Sequence, residues 1–397
     1  MAARQRWLPA ELPEACSRST WLAAWRDGSD STASAARCWP ALGLLTAVAG
    51  AATAPDIPLF ITFDSAIDAA AIRPGAAQVP WLEQEVFVWG ADASHPSLSA
   101  WLALESKIEL SYYMPYSRAP AARLGFTLDW FQAHHPDWVM YRCDRKTVAF
   151  WGAETAPHGS VPLDFTNADV IEWQMANQSS IAHRLGYSAM AFDNFGGGAR
   201  QGANNGQACG VWQRNGSWTQ VFQPVPKGDG ALDFAEASVR WIEQAKERMA
   251  VHAPGLGIVP NLCIDRPSKG GIWTNSSIHG DWATSSAAQR VMAASTGILS
   301  ERGFSGWGAA RAGAGELEDE LRWMARLEAA GKGYFTINEV TEKEWSKEWV
   351  AWVLGCFLLG KQPHSVSIAV AYSRSLKQEN AAFATPDFCF STGFPWN

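Results

Sequence analysis

The chain has 397 residues, of which 47% are hydrophobic and 18% charged, and a net charge of −7. That composition is globular, the acidic balance argues against a nucleic-acid surface, and no run of about 18 apolar residues marks a membrane span. The excess is in tryptophan, with 22 residues; indole is a flat amphipathic plate with one N–H donor, suited to core packing or to stacking under a flat ligand face.

Residues 1–55 read as a leader. Arg4, Arg6, Arg18, Arg26 and Arg37 are spread through a Ser/Ala-rich stretch. Leu42 to Gly50 (LGLLTAVAG), followed by AATA, is similar to a signal h-region with a small-residue cleavage site, although it begins late for one. A secreted or extracytoplasmic protein with a signal peptide is the expectation. A transit-like leader and a chance apolar stretch are the alternatives. Asn-x-Ser sequons at Asn177, Asn215 and Asn275 are compatible with secretion.

Strand-like runs follow. PLFITF ends at Asp64, EVFVW at Trp89, and KIELSYYM at Met114, with a helix expected over 97–105 between the last two. A short helix is expected over 128–134 and a strand over 138–143. VPLD ends at Asp164, and Thr166 or Asn167 can cap the next helix, where Val170, Ile171, Gln174, Met175, Ile181 and Leu185 recur at helical spacing. That helix runs into the apolar strand 188–193, which ends on Asp193 and Asn194 and breaks into Gly196, Gly197 and Gly198.

A long loop is expected over 196–230, carrying Trp212 and Trp218; loops of that length beside a site are more often functional than accidental. Then the rhythm repeats. Helices are expected over 231–252, 282–294, 316–330 and 344–359. Strands are expected over 257–262, 296–301, 333–339 and 365–370. Alternation of this kind implies parallel βαβ units. The expected fold is an α/β (β/α)8 TIM barrel over 56–372, with the irregular leader 1–55 before it and a tail over 373–397. A doubly wound open sheet is the structural alternative, but no GxGxxG follows an early strand.

Cys16, Cys38, Cys143, Cys209, Cys263, Cys356 and Cys389 form no CxxC pair and no metal-type spacing. Their odd number leaves at least one free or paired between chains, and they are too sparse for a disulfide scaffold. Cys263 and Cys356 fall in apolar segments and read as buried thiols. The eight His show neither HxH nor HExxH, so no metal or other cofactor is expected.

Three strand candidates end on an acid: Asp193, Glu301 and Glu339, with Asp64 and Asp164 as weaker members. In a parallel barrel such ends share one face. Two carboxyl groups across a glycosidic bond can hydrolyse it, one protonating the leaving oxygen and the other attacking carbon or activating water. The competing readings are local. Asp193 and Asn194 can simply end a strand, Glu301 can pair with Arg302, and Glu339 can open a solvated helix start. Asn261 can be a strand cap, Tyr113 can merely pack, and Asp164 can serve the entry to its helix.

YMPYSR (113–118), HHPDWVMYRCD (134–144), VPLDFTNADVIEWQ (161–174), AFDN (191–194), ACGVW (208–212), GIVPNL (257–262), SERGF (300–304) and TINE (336–339), in that order, resemble a family of TIM-barrel hypothetical glycosyl hydrolases. The family is similar in fold to α-galactosidase-like and endo-α-polygalactosaminidase-like enzymes, and the resemblance covers roughly residues 80–370. It implies that Asp193 is the strand-end acid, that Glu301 follows a position usually held by another Asp (Ser300 here), and that Glu339 is the later acid. The tail after Val370 does not continue the pattern.

The expectation is therefore a glycoside hydrolase acting on an oligosaccharide or polysaccharide. Asp193 is nucleophile or base, Glu301 the general acid and Glu339 the alternative. Asn194, Tyr113, Asn261, Asp164, Trp212 and Asn338 are the candidate substrate contacts. A barrel that binds carbohydrate without cleaving it is the second reading, and a metal-dependent hydrolase, sensitive to chelators, the third.

Overall fold

The computed structural model describes residues 59–62, 86–91, 108–119, 126–150, 160–195, 208–224, 232–262, 286–300, 304, 314–339, 347–360 and 368–372. Its centre is an eight-stranded sheet. In chain order the strands of the first half are β1 (Leu59–Thr62), β2 (Val86–Ala91), β3 (Ile108–Pro115) and β7 (Ala189–Phe195). Those of the second half are β10 (Gly257–Leu262), β11 (Gly297–Ser300), β12 (Gly333–Glu339) and β13 (Ile368–Tyr372).

Every neighbouring pair in this sheet is parallel, and the strands stand side by side in chain order. A doubly wound sheet needs a reversal of strand order, and this sheet has none. The outermost strands, β1 and β13, also approach each other.

The sheet is strongly curled. Trp89 on β2 donates its indole N–H to the carbonyl of Val259 on β10, at 3.0 Å, although β3 and β7 lie between those strands. Flat strands about 4.8 Å apart would hold them too far away for this bond. Side chains alternate between the two faces. Trp89, Ala189, Ala191, Val259, Leu299 and Phe335 form one core on the concave face, with Tyr113 packed against it. Met190, Phe192, Ile258, Ile298 and Tyr334, the intervening positions, join the larger core under the helices.

Small residues let the concave face fill. A Cβ on Gly297 would stand 2.7 Å from the Phe335 ring and one on Gly333 only 2.6 Å from it. Glycine at both positions leaves the space that the ring occupies.

Among the described residues, helices return the chain between strands from β3 onward. Insertions after β3 and β7 interrupt this pattern. The first carries β4 (Arg118–Ala119), α1 (Leu128–His134), a 3-10 turn (Pro136–Trp138), β5 (Tyr141–Arg142) and β6 (Val161–Pro162). It continues through α2 (Ala168–Gln174), a π-helical turn (Met175–Ser179) and α3 (Ser180–Arg184). The second carries β8 (Ala208–Trp212) and β9 (Trp218–Gln220) before α4 (Leu232–His252). The strands β5, β8 and β9 make one antiparallel sheet. α5 (Ser286–Ala294), α6 (Ala314–Ala329) and α7 (Lys347–Gly360) complete the helices.

Local chemistry accounts for much of this. Thr127 caps α1 by accepting from the Trp130 N–H. Asn167, rather than Thr166, caps α2 by accepting from the Asp169 N–H. On α4, Phe234, Ser238, Trp241, Ala245 and Met249 recur every three or four residues and are buried. α4 and α5 are clamped by Arg290, which is bidentate to Glu243 and also meets Glu236 at 2.8 Å. Planar guanidinium matches a carboxylate fork, and the pairing holds Glu243 below the usual carboxylate range.

Several expectations change. The strand expected over 138–143 is a 3-10 turn followed by the two-residue β5, because Pro136 starts a tight turn there. The loop expected over 196–230 contains the hairpin β8–β9, turned at Gly216 in a left-handed backbone conformation (φ 81°). The cysteines include a disulfide, Cys143–Cys209, with Cα atoms 5.0 Å apart. Pairing of β5 with β8 brings those residues together, which spacing along the chain could not disclose. Cys356 is buried and is not part of that disulfide, in line with the expected buried thiol. The leader 1–55, the helix expected over 97–105, Asp64, Cys263 and the tail 373–397 lie outside the described residues. No described helix is long and apolar enough to cross a membrane.

Candidate active site

β7 lies centrally, between β3 and β10. The face that carries Ala189 and Ala191 inward carries Asp193 at the strand's C-terminal end. On β10 the same alternation takes Val259 to Asn261, and on β3 it gives Ser111 and Tyr113. Three adjacent strands thus deliver three polar groups to one end of the concave face.

They meet on one carboxylate. The Tyr113 hydroxyl donates to Asp193 Oδ2 at 2.5 Å, and the Asn194 amide donates to the same oxygen at 2.8 Å. The Asn261 amide donates to Asp193 Oδ1 at 3.0 Å. Asn261 is 4% exposed, whereas Asp193 is half-buried and within reach of solvent. Asn194 sits at φ 56°, a left-handed conformation uncommon for a residue with a Cβ but tolerated by Asn. That backbone turns the amide back onto its own neighbour.

The floor is apolar. Trp89 packs edge-on to Tyr113, with ring centroids 6.0 Å apart, and its N–H is committed to Val259. Behind β3, Tyr116 is buried among Phe165, Phe195 and Trp241. Its hydroxyl meets Ser238 Oγ at 2.9 Å. Ser238 gives its own proton to Phe234 O, so Tyr116 is the donor in that contact. Gln174 bridges the cluster, donating to Tyr116 O and accepting from the Trp241 indole. This network anchors the chain three residues beyond Tyr113.

Four residues expected at the site are thus brought together: Asp193, Asn194, Tyr113 and Asn261. Others are elsewhere or undescribed. Trp212 is on β8, where its N–H donates to Arg145 O at 3.0 Å and its ring packs edge-on to Trp218. Its donor is used within the inserted sheet, and the contacts described for it do not include Asp193. Asp164 is 6% exposed, and its Oδ1 accepts from both the backbone and the hydroxyl of Thr166. It shapes the turn before α2, and burial raises its pKa against the opposing pull of those two hydrogen bonds.

Glu301 lies outside the described residues. Asn338 and Glu339 end β12, where Glu339 pairs with Tyr372 of β13, and only their backbone is described. Ser300 faces the helix layer. Its hydroxyl donates to Glu320 of α6 at 3.1 Å, and both side chains are buried. An acid in its place would face the helix layer, so Ser300 is not a vacated position on the concave face.

Trp89 and the Tyr116 network were not singled out by sequence reasoning. Among 22 tryptophans nothing in the chain marks Trp89, apart from its place at the end of an apolar strand before Gly90. Among the described residues no group of three or more His, Cys, Asp or Glu is arranged to hold a metal ion.

No protein-family model matches the chain, and no curated protein matches it. Solved structures similar to it include a GH36 α-galactosidase from Geobacillus stearothermophilus, at 11% identity and a TM-score of 0.35, covering 77% of this chain and 42% of that one. A GH31 dextranase from Flavobacterium johnsoniae is 9% identical, with a TM-score of 0.44, covering 80% and 36%. A β-galactosidase from the psychrophilic Marinomonas ef1 is 9% identical, with a TM-score of 0.44, covering 80% and 54%. The chain spans 36% to 54% of those three chains.

Proposed function

We propose that this protein is a glycoside hydrolase, that its parallel strands close into an eight-stranded barrel, and that Asp193 is its nucleophile or base. The observation that carries the reading is the convergence of Tyr113, Asn194 and Asn261 on the Asp193 carboxylate at the C-terminal end of a central parallel strand. That end is where α/β barrels carry their chemistry. Three donors fix the carboxylate's orientation, and fixed orientation is what attack on an anomeric carbon, or removal of a proton from a water that attacks it, requires.

The partner acid in this reading is Glu301, which follows the last residue of β11, with Glu339 at the end of β12 as the alternative. One protonates the leaving oxygen while Asp193 acts at carbon. A separation of about 5–5.5 Å between the two carboxyl groups gives retention of configuration, and about 6.5–9.5 Å gives inversion. Asn338 is a proposed substrate contact. Tyr113, Asn194 and Asn261 are assigned first to positioning Asp193. Trp212 is assigned, from the inserted sheet, to more distant sugar units.

The protein is assigned to a secreted or extracytoplasmic setting. The Cys143–Cys209 disulfide supports this, because such bonds persist in oxidising compartments.

The test is hydrolysis of a panel of oligosaccharides and polysaccharides by the full chain beside Asp193→Asn and Glu301→Gln. Cleavage reduced by about 10²–10⁴-fold in each variant is the expected result. Loss with Asp193→Asn alone transfers the acid role to Glu339. Binding without cleavage by the unaltered protein replaces the hydrolase reading with a carbohydrate-binding one.

A further inference from the structure

Of the sequons in the chain, two lie among the described residues, in opposite surroundings. Asn215-Gly216-Ser217 occupies the tip of the β8–β9 hairpin, and Arg214, Asn215, Gly216 and Ser217 are all exposed. The tip is closed by Gln213 and Ser217, whose backbones pair at 2.8 Å, and by the Gly216 N–H on Gln213 O. Asn215 Oδ1 accepts from the Ser217 N–H at 2.9 Å and from the Ser217 hydroxyl at 2.7 Å. The side chain therefore folds towards its own sequon serine through the carbonyl oxygen. The amide nitrogen, the atom that would carry a sugar, remains on the solvent side with no hydrogen bond described for it.

Asn177-Gln178-Ser179 is the reverse case. It forms part of the π-helical turn packed against α4. Asn177 spends its amide nitrogen on Trp173 O at 2.8 Å. Gln178 and Ser179 are fully buried, and the Ser179 hydroxyl is bound to Met175 O at 2.6 Å. A glycan there would break the Trp173 bond and part the turn from α4. A folded chain can carry one on the hairpin tip and cannot on the turn.

A second observation points the same way. The hairpin strand β8 is tied to Cys143 through Cys209, which lies six residues before Asn215. The module that presents the sequon thus bears the bond expected of an oxidising compartment.

We infer that Asn215 is an N-glycosylation site. Its Nδ2 displaces the diphosphate from the anomeric carbon of a polyprenyl-diphosphate-linked oligosaccharide. The N–C bond forms as the C–O bond breaks, the amide loses one proton, and no oxidant or reductant is needed. The transfer is catalysed by the secretory machinery rather than by this chain, and it is independent of whether Asp193 cleaves sugars.

The full chain is expressed behind a secretion signal in cultured eukaryotic cells, and protein is collected from the medium. Peptide-N-glycanase converts a modified asparagine to aspartate; the digestion is run in ¹⁸O-water beside an enzyme-free control, so that aspartate made by the enzyme is separated by peptide mass from spontaneous deamidation at Asn215-Gly216. The expected result is aspartate at position 215, asparagine retained at 177, and complete loss of the 215 modification in Ser217→Ala but not in Ser217→Thr. Secreted protein with unmodified Asn215, or with modified Asn177, overturns the assignment.

Discussion

Tyr113 and Asp193 lie 80 residues apart in the chain and are joined by a 2.5 Å hydrogen bond between adjacent parallel strands. The register pairs Tyr113 with Ala191, two residues below Asp193, so the tyrosine reaches upward along the strand to the carboxylate. Its ring meanwhile rests on Trp89. One side chain thus serves the apolar floor with its ring and the carboxylate with its hydroxyl.

Tyr113→Phe separates those roles. A hydrogen bond to a charged group contributes about 1.5–3 kcal/mol, which corresponds to roughly 10–150-fold. Activity on whichever sugar the panel identifies is expected to fall by that order in kcat/KM, while the protein stays folded at the assay temperature because the ring still packs on Trp89. An unchanged kcat/KM would show that the hydroxyl does not support the reaction.

Asn194 tests the backbone. Both Asn194→Ala and Asn194→Gly lose the amide on Asp193 Oδ2, but only glycine adopts φ 56° without steric cost. Alanine in that region costs about 1–2 kcal/mol. The two variants are expected to lose activity to a similar degree, with the alanine variant unfolding at lower urea. Equal urea midpoints would count against left-handed strain at this position.

The disulfide is expected to matter for stability. It closes a loop with a sequence separation of 66, for which the chain-entropy estimate is about 4 kcal/mol. Thermal melts with and without reductant should differ for the unaltered protein and coincide for the Cys143→Ser/Cys209→Ser double variant. A reductant effect that survives in the double variant would assign the sensitivity to another cysteine.

Asp164 yields a pH dependence with a defined sign. Burial holds its folded-state pKa above the ordinary value, so the folded protein binds that proton more tightly than the unfolded chain does. The stability this contributes is complete below the unfolded value, about 3.9, and is lost as pH rises through the folded value. At neutral pH the ionised group is therefore a cost. Asp164→Asn keeps a carbonyl oxygen for the two Thr166 donors and removes the charge. It is expected to be more stable than the unaltered protein at pH 7, by a margin that shrinks towards zero as pH falls below about 4. A margin that does not change between those pH values would refute this.

Much of the framework was determined by the sequence alone. The spans Leu128–His134, Gly257–Leu262 and Gly333–Glu339 coincide with the helix and strands expected from the chain. The strand signals are local: an apolar run of strand length and glycine at the strand entry. Asp193 was visible for the same reason, as the acid that ends the apolar strand.

Only the tertiary structure decided what that acid touches. Tyr113 and Asn261 reach it because β3 and β10 flank β7 in the sheet, and nothing in the local pattern specifies which strands become neighbours. The same cause moved residues the other way. Trp212, an aromatic in a long segment, was diverted to Arg145 by hairpin pairing, and Ser300 met Glu320 because α6 packs over that face of β11. Cys143 and Cys209 met through the pairing of β5 with β8. Periodicity is set by residues two to four positions apart, whereas contacts across 60 or more residues follow from the order in which strands pack, a property of the whole chain.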